Sequence, residues 1–152
     1  MNYSEIALNI VSKEFASKKD KAGKPYIDHL KRVAFNSKKL AATYGLDNKE
    51  IEVVEVIALL HDLIEDCPNW NISLVDSVFR NALIIDNLNR LTKKEGQNYD
   101  DYIANIRNSY FSKIVKICDL EDNMDITRLT SINEEDIERL KKYHKSYIFL
   151  KK

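Results

Sequence analysis

The sequence has 152 residues, a length that predicts one domain spanning residues 1–152. Hydrophobic residues make up 44% and charged residues 32% of it, which argues against a disordered chain and against a membrane protein. The 24 basic and 24 acidic side chains cancel, so no overall field attracts nucleic acid or anionic lipid, and we expect neither as a partner.

Few turn-forming residues and helical spacing of apolar residues predict an all-α fold. Only three glycines and two prolines occur. In chain order, we expect helices from the N-terminus to about residue 16, then over 25–44, 49–65, 72–91, 100–107, 111–124 and 133–150. The 49–65 segment is the most apolar, so it is predicted to be the central helix, with Asp47 as its cap. Asn133 and Asp136 resemble a capping box for the last helix.

Cysteine usage and the N-terminal segment indicate a cytoplasmic protein. Cys67 and Cys118 are too few for a disulfide-stapled scaffold, which points to a reducing compartment. The first residues lack the basic region and long apolar run of an export signal.

Four ionisable residues, His61, Asp62, Glu65 and Asp66, interrupt the most apolar predicted helix. Burying such groups costs several kcal/mol unless they are paired. On one continuous helix they would project over a single broad face. Imidazole and carboxylate together suit a cation such as Mn, Fe, Co or Zn. The alternative is a chance His-Asp pair and a carboxylate that caps the following turn.

Other ligand-type residues stand at separated positions. His29 ends the segment Gly-Lys-Pro-Tyr-Ile-Asp-His, and Asp119 and Asn123 lie one turn apart in a later predicted helix. A local basic run precedes His29 and could attract a polyphosphate, although a solvated loop is the alternative. It consists of Lys18, Lys19, Lys21 and Lys24.

Together these motifs resemble the HD-domain phosphohydrolases, specifically the branch typified by the hydrolase domain of RelA/SpoT enzymes and the small alarmone hydrolases. The resemblance covers nearly the whole chain and implies a single HD-type helical bundle. It is carried, in the family's order and spacing, by Pro25-Tyr26-Ile27-x-His29, Leu59-Leu60-His61-Asp62-x-x-Glu65-Asp66 and Lys116-x-x-Asp119-x-x-x-Asn123.

The resemblance also implies roles for these residues. One divalent cation is expected, manganese in the alarmone branch, with Fe, Co, Zn or Mg as alternatives. Asn123 is expected to bind substrate or to hold Asp119, and the lysines of segment 15–21 are expected to hold the nucleotide. The implied metal ligands are His29, His61, Asp62 and Asp119, the residues that activate and position water are Glu65 and Asp66, and the substrate-binding residues are Asn123, Lys18, Lys19 and Lys21.

The implied activity is removal of the 3′-pyrophosphate from (p)ppGpp-like nucleotides by a metal-activated water. We expect no synthetase activity, since longer relatives carry that in a separate domain. Phe15 and Lys18 stand where relatives often have histidine and glutamine, which leaves other substrates open. The alternatives are a nucleotidase or pyrophosphohydrolase for another phosphorylated metabolite, and a nucleotide-sensing module without turnover. The oligomeric state is left open.

Overall fold

Helices form the regular structure throughout residues 2–152, the part of the chain that this computed structural model describes. No strand forms within that range, which confirms the predicted all-α fold. The helices are α1 (Tyr3–Glu14), α2 (Tyr26–Thr43), α3 (Asn48–Leu60), α4 (Leu63–Asp66), α5 (Ile72–Phe79), α6 (Ala82–Leu91), α7 (Tyr99–Arg107), α8 (Tyr110–Met124) and α9 (Glu134–Lys151), with a 3-10 turn over Ile126–Arg128 before α9.

Helix α3 is the centre of the bundle, as its apolar content predicts. It packs against α1, α2, α6 and α8. Ile57 and Leu60 are fully buried, and each such side chain contributes about 1.5–3 kcal/mol of hydrophobic stabilisation. Asp47 begins α3 with a capping box, and the predicted capping box of Asn133 and Asp136 begins α9. None of the helices within residues 2–152 has the length and apolar character needed to cross a membrane.

The prediction of one continuous helix over residues 49–65 is wrong, because α3 ends at Leu60 and α4 begins at Leu63. The His61 side chain provides a physical reason. Its Nδ1 lies 2.6 Å from the carbonyl oxygen of Ala58, an acceptor that a continuous helix would pair with the amide of Asp62. His61 and Asp62 therefore occupy a turn between two helices, and the expected single helical face does not form.

The single helix predicted over residues 72–91 is also two helices, α5 and α6. Arg80 adopts a left-handed conformation with φ of 48° and ends α5. Asn81 then caps α6, since its side chain accepts hydrogen bonds from the amides of Leu83 and Ile84. The break is hidden in the sequence because the left-handed residue is arginine and not glycine.

The loop between α1 and α2 is a tight turn. Lys19 and Pro25 form an isolated antiparallel bridge. Inside it, one carboxylate oxygen of Asp20 accepts from the amides of Ala22 and Lys24 at 2.9 Å each. This closed loop, residues 15–25, precedes α2 directly and brings Lys18 within 2.6 Å of Asp66 in α4.

Candidate metal centre

Ligand-type atoms of His29, His61 and Asp119 all lie within 4.8 Å of one another, and Asp62 adjoins the two histidines. His29 comes from α2, His61 and Asp62 from the α3–α4 turn, and Asp119 from α8. His61 Nε2 lies 3.2 Å from both Asp62 Oδ2 and Asp119 Oδ1. His29 Nε2 lies 3.2 Å from Asp119 Oδ1 and 3.8 Å from Asp62 Oδ2. Ligands about 2.1 Å from a shared cation stand about 3.0–3.5 Å apart, so this spacing suits a metal ion.

The outer hydrogen bonds of both histidines leave an Nε2 lone pair facing the centre. His29 Nδ1 lies 2.6 Å from Asp122 Oδ2, and His61 Nδ1 lies 2.6 Å from the Ala58 carbonyl. Both oxygens can only accept, so each Nδ1 donates its proton. His29 Nε2 is buried without a hydrogen-bond partner within residues 2–152. Lone pairs that face carboxylate oxygens need a positive charge between them, which a proton on the ring or a divalent cation supplies.

The imidazoles and carboxylates of the centre stabilise one another's charged forms. Burial alone lowers the pKa of His29 and His61, but the adjacent carboxylates outweigh it and raise each imidazole pKa above its ordinary value. Burial alone raises the pKa of Asp119, but the ammonium of Lys116, 3.0 Å away, and His61 hold it well below its usual range. The carboxylates are therefore anionic at neutral pH, and protons compete with a metal for the imidazoles.

A buried carboxylate that the sequence analysis missed, Asp122, orients His29. Besides accepting from His29, it accepts from Arg32 Nε at 2.8 Å and Arg32 Nη2 at 3.1 Å. Arg128 Nη2 lies 3.4 Å from the same carboxylate. The available signal was its position three residues after Asp119 on α8, which places both carboxylates on neighbouring faces of one helix turn.

Two more side chains hold the carboxylates of the centre. The Tyr26 hydroxyl donates to Asp62 Oδ2 at 2.6 Å. Asn123 Nδ2 lies 3.0 Å from the Asp119 carbonyl oxygen and 2.9 Å from Asp119 Oδ1, so its amide contacts a proposed ligand. Of the two roles expected for Asn123, these contacts correspond to holding Asp119. The hydroxyl of Tyr26 is a contact that the sequence analysis did not foresee.

Glu65 and Asp66 have different surroundings although they are neighbours on α4. Glu65 Oε1 accepts from the backbone amide of Lys93 at 2.5 Å, and partial burial raises the pKa of the Glu65 carboxyl. Asp66 instead pairs with Lys18 Nζ at 2.6 Å. The Lys18 ammonium also lies 4.3 Å from the ring centre of Tyr26. A residue expected to bind substrate is thus paired with one expected to position water.

Two cavities adjoin the centre. The first, called the loop-side cavity, has a volume of about 330 Å³ and is lined by Lys18, Lys19, Lys21, Tyr26, His29, Arg32, Asn123, Arg128, Arg139 and Tyr143, among others. The second, called the lysine cavity, has a volume of about 240 Å³ and is lined by Tyr26, Asp62, Glu65, Lys93, Tyr99, Tyr102, Lys116, Asp119, Asn123, Lys142 and Tyr143. All three lysines expected to bind substrate therefore line the loop-side cavity.

Comparisons with known proteins identify a family and a shared fold. The HD domain family model matches residues 26–144. No curated protein matches the sequence. Among solved structures, 14 chains match. One is a metazoan ortholog of SpoT described as hydrolysing ppGpp and playing a role in starvation responses; it is 20% identical, with a TM-score of 0.74 over 99% of this chain and 85% of that chain. The family match confirms the resemblance in the sequence, and the structural likeness shows a shared fold.

Proposed function

We propose that this chain, which belongs to the HD domain family, removes the 3′-pyrophosphate from a (p)ppGpp-like nucleotide. Family and fold support a metal-dependent phosphohydrolase. The substrate, the identity of the metal and the residue roles are our proposals. They rest chiefly on one observation: ligand atoms of His29, His61 and Asp119 cluster within 4.8 Å, with Asp62 beside the histidines, and a further carboxylate, Glu65, lines the same cavity as Asp62 and Asp119.

We propose His29, His61, Asp62 and Asp119 as the ligands of one divalent cation. Manganese is the first candidate, and Fe, Co, Zn and Mg are the alternatives. When bound, such a cation polarises a phosphoryl oxygen and lowers the pKa of a water towards neutrality.

Several residues would prepare the site for the cation without binding it. Asp122 fixes the His29 ring, Tyr26 holds the Asp62 carboxylate and Asn123 holds that of Asp119. These contacts reduce the rearrangement that metal binding would otherwise require.

Glu65 is the proposed general base. Burial raises the pKa of the Glu65 carboxyl towards neutral pH. A pKa in that direction suits a group that accepts a proton from water during the reaction. The Lys93 amide donates to one of its oxygens, and the side chain lines the lysine cavity. Asp66 would help to position the water after Lys18 moves towards a phosphate. A module that only bound nucleotide would have no use for this additional carboxylate.

The loop-side cavity is the proposed nucleotide site. Lys19, Lys21 and Arg139 contribute cationic groups to its wall, and Tyr143 contributes an aromatic ring. A volume of about 330 Å³ is within the range of small-molecule sites. Phosphates are attracted to such a concentration of positive charge in a protein whose net charge is zero. The ppGpp hydrolysis described for the metazoan SpoT ortholog supports the choice of substrate.

The test is pyrophosphate and phosphate release from ppGpp, pppGpp, ordinary nucleotides and NADPH, with Mn²⁺, Mg²⁺ or a chelator. Glu65→Gln should lower kcat by roughly 10²–10⁴-fold, as expected for loss of a general base, and should still bind metal. Glu95→Gln is the matched control, because Glu95 is an exposed glutamate outside both cavities. A Glu65→Gln enzyme with unchanged kcat would remove Glu65 from the mechanism.

The same panel separates the alternatives. Metal-dependent release from other nucleotides but not from ppGpp would favour a nucleotidase or pyrophosphohydrolase for another metabolite. Nucleotide binding without turnover across the panel would favour a sensing module. Asp62→Ala serves as the metal-site control in each case, since Asp62 Oδ2 lies 3.2 Å from His61 Nε2.

A further inference from the structure

We infer that this chain forms a weak symmetric dimer in solution, in which Phe35 of each copy packs into a groove between α1 and α2 of the other copy. The groove shares no lining residue with the two cavities at the metal centre, so the inference is independent of the proposed function. Its basis is the exposure of Phe35, the apolar part of the groove and the distribution of charge along it.

The groove forms because α1 and α2 both pack closely on α3 but not on each other. Its volume is about 360 Å³. Ala34 and Leu59, which are buried, and Leu8, which is half-buried, supply apolar surface. We call it the α1–α2 groove, and its lining residues are Asn2, Ser4, Glu5, Leu8, Lys31, Ala34, Phe35, Lys38, Glu55 and Leu59.

Phe35 is an exposed aromatic side chain on the α2 wall of this groove. Its exposed fraction is 63%, although burial of an aromatic side chain removes about 150–250 Å² from water. A ring that projects beside an apolar groove can enter the same groove of a second copy. In a two-fold arrangement this contact occurs twice, because each copy offers both the ring and the groove.

Charge is distributed unevenly along the α1–α2 groove. At one end, Glu55 accepts from Ser4 Oγ at 2.9 Å and lies 3.3 Å from Lys38 Nζ, and Glu5 follows Ser4 in α1. Lys31 precedes Lys38 by seven residues on α2, which places it about 10 Å further along the helix. One end therefore has two carboxylates and one ammonium group, whereas the other end has the ammonium group of Lys31.

Two-fold symmetry makes this uneven charge attractive between copies. With the axis near Phe35, α2 of the second copy runs antiparallel to α2 of the first, so Lys31 of each copy lies at the acidic end of the other groove. Within residues 2–152, neither Lys31 nor Glu5 forms an ion pair, and both are exposed. A small apolar ligand would use the apolar surface but not this charge pattern. The pattern therefore favours a second copy as the occupant.

The size of the contact predicts a weak dimer. Helix α2 has 18 residues and α1 has 12, so their faces are about 27 Å and 18 Å long and about 10 Å wide. Such faces bury about 900 Å² in total over both copies, less than the roughly 1,200–2,000 Å² of stable interfaces. We therefore expect a dissociation constant between about 10 µM and 1 mM.

Sedimentation velocity of the full chain from about 10 µM to 1 mM measures this equilibrium. Phe35→Ser should raise the dimer dissociation constant at least about tenfold, as expected for a central aromatic contact. Tyr110→Ser is the matched control, because Tyr110 is also an exposed aromatic residue, 68% exposed, but lies outside the groove. The dissociation constant of the control should stay within about twofold of the wild type.

Charge reversal tests the two-fold arrangement itself. Lys31→Glu and Glu5→Lys should each weaken the dimer about fivefold or more, since each altered pair occurs twice. The double variant Lys31→Glu/Glu5→Lys restores opposite charges and the net charge of the wild type, so it should recover most of the loss. Circular dichroism checks that every variant keeps its helices.

Several results would overturn the inference. They are a wild-type protein that stays monomeric up to about 1 mM, a Phe35→Ser protein that dimerises like the wild type, an equal loss in Tyr110→Ser, and a double charge reversal without recovery. A monomeric wild type that binds the apolar dye ANS, with that binding lost in Phe35→Ser, would assign the groove to a small apolar ligand instead. None of these measurements depends on turnover, so the dimer and the proposed function can fail separately.

Discussion

Replacing Asp122 by asparagine should weaken metal binding although Asp122 is not a proposed ligand. The side chain is 7% exposed and accepts from His29 Nδ1 at 2.6 Å and from Arg32 Nε at 2.8 Å. Asparagine has nearly the same shape but no charge. It also presents an amide NH₂ where the carboxylate had a second acceptor oxygen, so it cannot accept the hydrogen bonds of both His29 and Arg32.

The size of the effect follows from the hydrogen bond that changes. A hydrogen bond to a charged group contributes about 1.5–3 kcal/mol, and a neutral amide oxygen would keep part of it. A remaining loss of about 1.4–2.7 kcal/mol corresponds to roughly 10–100-fold in affinity, the range typical of groups that orient a histidine ligand. The Asp122→Asn protein should therefore bind Mn²⁺ roughly 10–100-fold more weakly than the wild type.

Titration calorimetry of the metal-free proteins with Mn²⁺ measures this loss, and circular dichroism checks that the helices remain. Asp125→Asn is the matched control: Asp125 also pairs with Arg128, at 3.0 Å, but it is 43% exposed and, within residues 2–152, makes no hydrogen bond to a proposed ligand. Its Mn²⁺ affinity should change less than about twofold. Unchanged affinity in Asp122→Asn, or an equal loss in Asp125→Asn, would refute the role assigned to Asp122.

Three further predictions concern pH, the loop and the α5–α6 break. Because the pKa values of His29 and His61 are raised, Mn²⁺ affinity should fall as the pH is lowered from about 8 to 6. The fall should be up to about tenfold per pH unit for each imidazole that protonates. A Mn²⁺ affinity that calorimetry finds independent of pH would contradict this. Lys18→Ala should raise the KM for ppGpp about tenfold, and an unchanged KM in steady-state kinetics argues against substrate binding by Lys18. The same change should lower the free energy of unfolding by less than about 1 kcal/mol, because its partner Asp66 is solvent-accessible. Arg80→Gly should raise the free energy of unfolding by about 0.5–1 kcal/mol, since φ is 48° there; denaturant unfolding with no gain would contradict it.

The proposed ligands could be found in the sequence because each stands in a recognisable local pattern. His29 follows a proline-tyrosine helix start, His61 and Asp62 interrupt the most apolar segment, and Asp119 precedes Asn123 by one turn. The family's order and spacing of these motifs then implied that they meet. In the structure, Nε2 of each histidine lies 3.2–3.8 Å from carboxylate oxygens of Asp62 and Asp119.

Other features depend on contacts between distant residues, which periodicity cannot reveal. The helix ends after Leu60 because the His61 side chain hydrogen-bonds the Ala58 carbonyl oxygen. That bond replaces the backbone hydrogen bond that would continue the helix. The hydrogen bond that His29 donates to Asp122 spans 93 positions in the sequence, and the ion pair of Lys18 with Asp66 spans 48. Only the packing of α2 against α8, and of the loop against α4, brings these partners together.

The most direct test of a single-metal phosphohydrolase combines metal content and turnover in one preparation. Wild-type protein should hold one divalent cation per chain and release pyrophosphate from ppGpp in Mn²⁺, and both properties should be lost in Asp62→Ala, whose fold is checked by circular dichroism. Turnover that continues in chelator, or in a folded Asp62→Ala protein without metal, would contradict a metal-dependent site at His29, His61, Asp62 and Asp119.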